Sequence, residues 1–171
     1  HRDLHSFPFR RSSDLSIDTD VLHLLVDTRG GSVVHADLLA YPQAPRTHKQ
    51  PSSPPTVLLS TDAARYFVAQ SGLISSSDSA PQDQPNHLAL FHSEKTAYTL
   101  APGQNELQVT LTWQDAAGVK VTKTYTFKRG SYVIDVSQRI DNGATTAWQG
   151  NAYRQLERAE PPMPSSWLKK Y

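Results

Sequence analysis

Apolar and polar residues alternate with a period of two along the middle of the chain, which is the pattern of a strand with one buried face. In residues 107–113, "LQVTLTW", every second residue is apolar or aromatic. Val119 and Val121 continue the alternation after the turn sequence "DAAG" (115–118). Two such runs joined by a short turn predict an antiparallel hairpin.

A second hairpin is predicted near the start of the chain. The sequences "VLHLLVD" (21–27) and "SVVHADLLAY" (32–41) are rich in apolar residues, and "TRGG" (28–31) lies between them. Glycine adopts positive φ at little steric cost, so Gly30 and Gly31 permit the tight reversal that joins the two strands.

Four further segments have the composition of strands, and none has the 3.6-residue period of a helix. They are residues 56–60, 65–74, 132–140 and 147–157. Polar stretches at residues 42–55 and 75–86 predict long loops on a single domain. Consecutive strands joined by tight turns favour an all-β fold, either an antiparallel sandwich or a barrel.

The composition excludes several classes of function. Lysine and arginine number 17 against 16 acidic residues, a net charge of +1 that gives no strong attraction to nucleic acid or to an anionic membrane. The absence of cysteine excludes disulfides, thiolate metal sites and a cysteine nucleophile. There is no run of 18 apolar residues, so no segment is predicted to span a bilayer.

The first fifteen residues, "HRDLHSFPFRRSSDL", show the periodicity of neither a strand nor a helix. Translation of a universal short-read sequencing adapter gives the same residues, with threonine in place of Phe9. We therefore predict that residues 1–15 are a non-native, adapter-derived segment and that residues 16–171 are a partial domain. The alternative is a disordered N-terminal tail that carries arginines.

The seven histidines form no pair with the spacing of a known metal-ligand motif. His87 and His92, together with Glu94, are candidates for acid–base catalysis on a sugar ring, because such catalysis needs groups that titrate near neutral pH. We favour the simpler interpretation that these histidines lie on the surface or on edge strands.

Asp18, Asp20 and Asp27 form an acidic group around the first hairpin. Glycoside chemistry uses two carboxylates at a fixed separation, which a sequence does not give. We interpret the three aspartates as solvated turn residues.

Aromatic residues provide a third candidate site. An aromatic ring packs against the apolar face of a sugar or a side chain, so a platform of such rings would bind a carbohydrate or a peptide. Trp113 ends an alternating apolar series, which favours its burial in the core. The candidates are Trp113, Trp148, Tyr125 and Tyr153.

Three stretches resemble the large periplasmic domain of YidC-type membrane protein insertases of Gram-negative bacteria. They are "DTDVLHLLVDTRGGSVVHADLLAYP" (18–42), "AQSGL" (69–73) and "GQNELQVTLTWQDAAGVKVTKTYTFKRGSYVIDVSQRIDN" (103–142). The similarity extends in the same order over nearly all of residues 18–158. It implies an antiparallel β-supersandwich related to galactose-mutarotase-like folds, which faces the periplasm from the inner membrane.

The resemblance also implies a function without catalysis. Such insertases insert and help to fold inner-membrane proteins, alone or with the Sec translocon, using neither ATP hydrolysis nor a cofactor. A separate membrane-embedded bundle with a buried arginine carries the insertion activity, and it has no counterpart in this chain. We therefore expect a scaffold or partner-contact domain, with no catalytic residue, no cofactor-binding residue and no metal ligand.

Two further expectations concern the ends of the chain and an alternative function. The resemblance predicts truncation at both ends, so the sandwich would lack its C-terminal strands and would expose edges and apolar surface. The alternative is a carbohydrate-binding or mutarotase-like protein, because the same fold can host different functions.

Overall fold

The computed structural model describes residues 14–45, 52–76 and 83–160, and it confirms the all-β prediction. These residues form ten strands and a short 3-10 turn at Ala63–Arg65. The strands are β1 (Asp14–Asp18), β2 (Leu22–Asp27), β3 (Ser32–Pro42), β4 (Pro55–Leu59), β5 (Phe67–Ser75), β6 (Ala97–Thr99), β7 (Glu106–Gln114), β8 (Val119–Lys128), β9 (Ile134–Asn142) and β10 (Gly150–Arg158).

The strands form two sheets that pack against each other as a sandwich. The larger sheet has the order β10-β5-β3-β2-β1-β6, with β4 also paired to β3, and the smaller sheet has the order β7-β8-β9. All pairs are antiparallel except β1 and β6, which run parallel. The antiparallel sandwich is thus confirmed, while its kinship with galactose-mutarotase-like folds stays a prediction.

Both predicted hairpins are present. β2 pairs with β3 across the "TRGG" turn, and β7 pairs with β8 so that Trp113 lies opposite Val121. Gly30 and Gly31 have φ values of 71° and 59°, which is the left-handed conformation that the sequence predicted for this turn.

Two strands were not predicted. β6 has only three residues, too few to show an alternating pattern. β1 begins at Asp14, and Leu15 is buried in the core at 3% exposure, so two residues assigned to the foreign segment belong to a strand. Residues 1–13 lie outside the described residues, and the origin of the segment stays a prediction.

The two predicted loops lie partly outside the described residues, at 46–51 and 77–82. The described end of the second loop is packed into the fold, because Gln84, Pro85 and Asn86 are all buried. Gln84 Oε1 accepts a hydrogen bond from the Ser75 amide at 3.2 Å, and the Pro85 carbonyl accepts one from the Leu73 amide at 3.0 Å. These bonds satisfy polar groups that burial would otherwise leave without partners.

Apolar side chains from both sheets fill the space between them. β2 contributes every second residue, β7 contributes two residues, and β8 contributes its inward face. The main contributors are Leu22, Leu24, Val26, Val109, Leu111, Val121, Tyr125 and Phe127.

A lysine interrupts the apolar face of β8. Lys123 lies between Val121 and Tyr125 in the alternation, and its side chain is fully buried. Its Nζ donates hydrogen bonds to the carbonyls of Gly30 (2.6 Å) and Ser71 (2.7 Å) and lies 5.1 Å from the ring centre of Phe91. A buried ammonium is tolerated only when it is hydrogen-bonded, and these contacts provide that.

The neighbouring tyrosine makes a second connection to the same turn. The hydroxyl of Tyr125 donates a hydrogen bond to the Gly31 carbonyl, and the side chain is 2% exposed. Lys123 and Tyr125 therefore join the smaller sheet to the β2–β3 turn of the larger one.

The same turn is held on its opposite side by residues 87–91. The Gly30 amide donates to the Ala89 carbonyl at 2.6 Å, and the Phe91 amide donates to the Thr28 carbonyl at 2.9 Å. The approach is so close that a Cβ atom on Gly30 would lie 2.4 Å from the backbone of His87. Position 30 thus requires glycine for its φ angle and for space.

Gly30→Ala is expected to destabilise the domain by about 3 kcal/mol or more, because it combines a disfavoured φ with a backbone clash. Gly130→Ala is the matched control, since Gly130 has φ 72° and a Cβ atom there would have no described atom within 4 Å. The control should lose only about 1 kcal/mol from the unfavourable φ. Urea unfolding of both variants measures the difference, and equal losses would contradict the close packing at Gly30.

Burial lowers the pKa of Lys123 from its ordinary value of 10.5 to about 8. Between these values the unfolded chain binds more protons than the folded one, so the free energy of unfolding should rise as pH increases from 8 to 10.5. The gain due to this group is at most about 3 kcal/mol.

Lys123→Met serves as the control for this prediction, because it keeps a similar apolar length and cannot titrate. Urea unfolding of both proteins at several pH values from about 7.5 to about 10.5 gives a difference curve in which the other titrating groups cancel. This difference should rise with pH in favour of the lysine protein. Parallel curves would show that folding does not lower the pKa of Lys123.

Candidate binding cavity

A cavity of about 350 Å³ opens at one end of the sandwich, between the two sheets. It is lined by the end of β5, by residues 83–85, by the β7–β8 turn and by the connection from β9 to β10. Its side chains include two indoles, two carboxylates and several neutral polar groups. The most relevant are Trp113, Trp148, Asp83, Asp115, Gln84 and Thr146.

Trp148 lies in the connection that crosses from the smaller sheet to the larger one. Its indole packs so closely on Gly150 that a Cβ atom there would lie 2.5 Å from the ring. The side chain is half-buried and also packs against the core. The absence of a side chain at Gly150 therefore leaves the space that one aromatic wall of the cavity occupies.

Hydrogen bonds anchor this connection at both ends. The Gly143 amide donates to the Gly118 carbonyl at 3.1 Å, and Asn142 Nδ2 donates to the Thr146 carbonyl at 2.8 Å. At the far end, the Ser76 amide donates to the Gln149 carbonyl at 2.9 Å. The cavity wall is thus tied to three other parts of the fold.

Trp113 and Asp115 stand where β7 ends and turns into β8. Asp115 Oδ1 accepts a hydrogen bond from the Val119 amide at 2.8 Å, which fixes the carboxylate in the turn. Trp113 is only partly buried, and it contributes both to the edge of the core and to the cavity. The expectation that Trp113 is a core residue therefore describes only part of its environment.

The structure brings together two of the four predicted platform residues. Trp113 and Trp148 share the cavity, although they are 35 positions apart and lie in different parts of the fold. Tyr125 is buried between the sheets, and Tyr153 Oη lies 2.5 Å from His87 Nδ1. Burial raises the pKa of the Tyr153 hydroxyl. Neither tyrosine is among the described residues that line the cavity.

The two candidate histidines contact strands of different sheets. His87 contacts Tyr153 of β10, whereas the exposed His92 pairs through its backbone with Thr112 of β7 at 2.8 Å in both directions. Glu94 is exposed. Among residues 14–45, 52–76 and 83–160, no three histidine or acidic side chains are grouped as a metal site would require.

The three aspartates of the first hairpin make separate contacts. Asp18 Oδ1 lies 2.6 Å from Nδ1 of His23, and Asp27 Oδ1 accepts a hydrogen bond from the Arg29 amide at 2.8 Å. Asp20 accepts one from the Gly130 amide at 2.9 Å. Asp20 and Asp27 each accept a backbone hydrogen bond at a turn, whereas Asp18 pairs with a histidine of the neighbouring strand.

His35 is the other histidine of the first hairpin, and it is buried at 6% exposure. Its Nε2 lies 3.0 Å from Asp37 Oδ1 without the direction of a hydrogen bond. Its ring centre is 6.2 Å from that of His23. His35 thus lies buried in a central strand of the larger sheet, while the surface or edge-strand interpretation of His87 and His92 stays a prediction.

The described part of the chain contains no helix that is long and apolar enough to cross a membrane. The family model of the YidC periplasmic domain matches residues 14–171. Three relatives carry the name membrane protein insertase YidC.

The relative from Methylococcus capsulatus is 49% identical over 150 residues, which cover 88% of this chain and 26% of the relative. The relative from Thioalkalivibrio sulfidiphilus is 42% identical over 157 residues, which cover 90% of this chain and 27% of the relative. The relative from a Marinomonas species is 39% identical over 154 residues, which cover 88% of this chain and 26% of the relative. The chain thus spans about a quarter of the length of these curated relatives, and it belongs to the YidC periplasmic domain family.

Proposed function

We propose that this chain serves as the periplasmic scaffold and partner-contact domain of a membrane protein insertase. The observation that carries the proposal is the family match over residues 14–171, together with 49% identity to an insertase over most of the chain. The two-layer sandwich supports it, because two sheets that share one hydrophobic core form a scaffold that can present fixed surfaces to partners.

We further propose that the parent protein lies in the inner membrane of a Gram-negative bacterium, with this domain in the periplasm. Its partners would be nascent membrane proteins and subunits of the Sec translocon. This domain would take part without catalysis, ATP hydrolysis or a cofactor. The support is the resemblance in residues 18–42, 69–73 and 103–142 and the names of the relatives.

The carbohydrate-binding alternative is not favoured. The relatives that match most of the chain are named as insertases, and none of the names quoted above refers to a carbohydrate. The absence of any catalytic or cofactor-binding residue stays a prediction.

A chimeric insertase tests the proposed function. Residues 18–158 of this chain would replace the aligned stretch of the Methylococcus capsulatus protein, and the chimera would be expressed in cells depleted of their own insertase. We expect the chimera to support insertion of an inner-membrane substrate, measured by protease accessibility. The same chimera carrying Gly30→Ala should reach a lower level in the membrane, because its periplasmic domain unfolds more readily.

The decisive comparison is with a chimera that carries the aligned stretch of the Thioalkalivibrio sulfidiphilus protein. The proposed function is wrong if both chimeras accumulate equally in the membrane but only the control chimera inserts the substrate. If both chimeras place the domain on the cytoplasmic face, the proposed location is wrong. Exposure of the domain to an added protease in cells with a permeabilised outer membrane distinguishes the two faces.

A further inference from the structure

We propose that the cavity between Trp113 and Trp148 binds the guanidinium group of an arginine side chain presented by an extended peptide. The inference goes beyond the proposed function and does not depend on it, because it rests on the chemistry of the cavity alone.

The charge of the cavity selects a cation. Asp83 and Asp115 line it, and no lysine, arginine or histidine is found among the described residues that line it. Two carboxylates without a neighbouring basic group create a negative potential, which a partly enclosed site strengthens relative to open water. An anionic ligand would be repelled.

The aromatic walls select a cation that is flat and partly apolar. Indole is the strongest aromatic partner for a cation, and the planar guanidinium group stacks on such rings while still donating hydrogen bonds to carboxylates. Trp113 comes from β7 and Trp148 from the β9–β10 connection, so the two indoles reach the cavity from different parts of the fold. A lysine ammonium would use the charge but not the stacking surface.

The cavity is also prepared for binding before a ligand arrives. The Trp148 ring packs closely on Gly150 and against the core, and the Val119 amide donates a 2.8 Å hydrogen bond to the Asp115 carboxylate. Groups fixed in advance lose little conformational freedom on binding. A volume of about 350 Å³ lies at the lower end of the range for ligand sites, which suits one long side chain and its adjacent backbone.

Peptide titration of the full 171-residue chain tests the inference. The probe is acetyl-Ala-Arg-Ala-amide, and the matched control peptide carries citrulline, which has the same length and planarity but no charge. The readout is the NMR signal of each indole N–H, assigned with Trp113→Phe and Trp148→Phe. We expect the arginine peptide to shift both signals and the citrulline peptide to bind at least about tenfold more weakly.

Charge-removing variants locate the interaction. Asp83→Asn and Asp115→Asn should each weaken binding of the arginine peptide by about threefold or more. Asp115→Asn keeps an oxygen that can accept the hydrogen bond of the Val119 amide, so the turn should survive. Asp135→Asn is the control, because the exposed Asp135 of β9 carries the same charge and is not among the residues that line the cavity.

Three results would overturn the inference. One is equal affinity for the arginine and citrulline peptides, which would exclude recognition of the charge. Another is an equal loss of affinity in Asp135→Asn and Asp83→Asn, which would indicate general attraction to an acidic surface. The third is a shift of the two indole signals by maltose and not by the arginine peptide, which would show that the cavity takes a sugar.

Discussion

The fold depends on the contact between the inner face of β8 and the β2–β3 turn. Lys123 and Tyr125 donate hydrogen bonds to the carbonyls of Gly30 and Gly31, which are the two residues that reverse the chain between the first strands. Side chains of one sheet thereby satisfy backbone groups of the other. Because these groups are buried, the loss of either donor would leave a polar atom without compensation for its lost hydration.

This contact also explains why a charge is retained in the core. An apolar side chain at position 123 would fill similar space, but it would give the Gly30 and Ser71 carbonyls no donor. The ammonium contacts β5 and the β2–β3 turn together, and therefore it fixes how β8 lies across both. Apolar packing is less directional, so it would specify this position less sharply.

Local sequence predicted the hairpins because their signals are local. The alternation in residues 107–113 and the glycines at 30–31 act within a few residues of where they stand. The burial of Lys123 was not predicted: it shares the inward face of Val121, but a lysine is ordinarily placed on the outside. Its burial depends on carbonyls 52 and 93 positions away, which no local pattern contains.

The cavity was only half predictable for the same physical reason. Tryptophan is easily recognised as a candidate binding residue, but the sequence gives no sign that Trp113 and Trp148 would line one cavity while Tyr125 and Tyr153 would not. Their shared position depends on the connection from β9 crossing to the other sheet, where β10 pairs with β5 along its whole length. Gly150 lies at the start of that pairing, opposite Ser75, and the Trp148 indole packs closely against it. A Cβ atom at position 150 would lie 2.4 Å from the Ile74 carbonyl oxygen and 2.5 Å from the Trp148 indole, so any larger side chain there would disturb both the start of the β5–β10 pairing and the cavity wall.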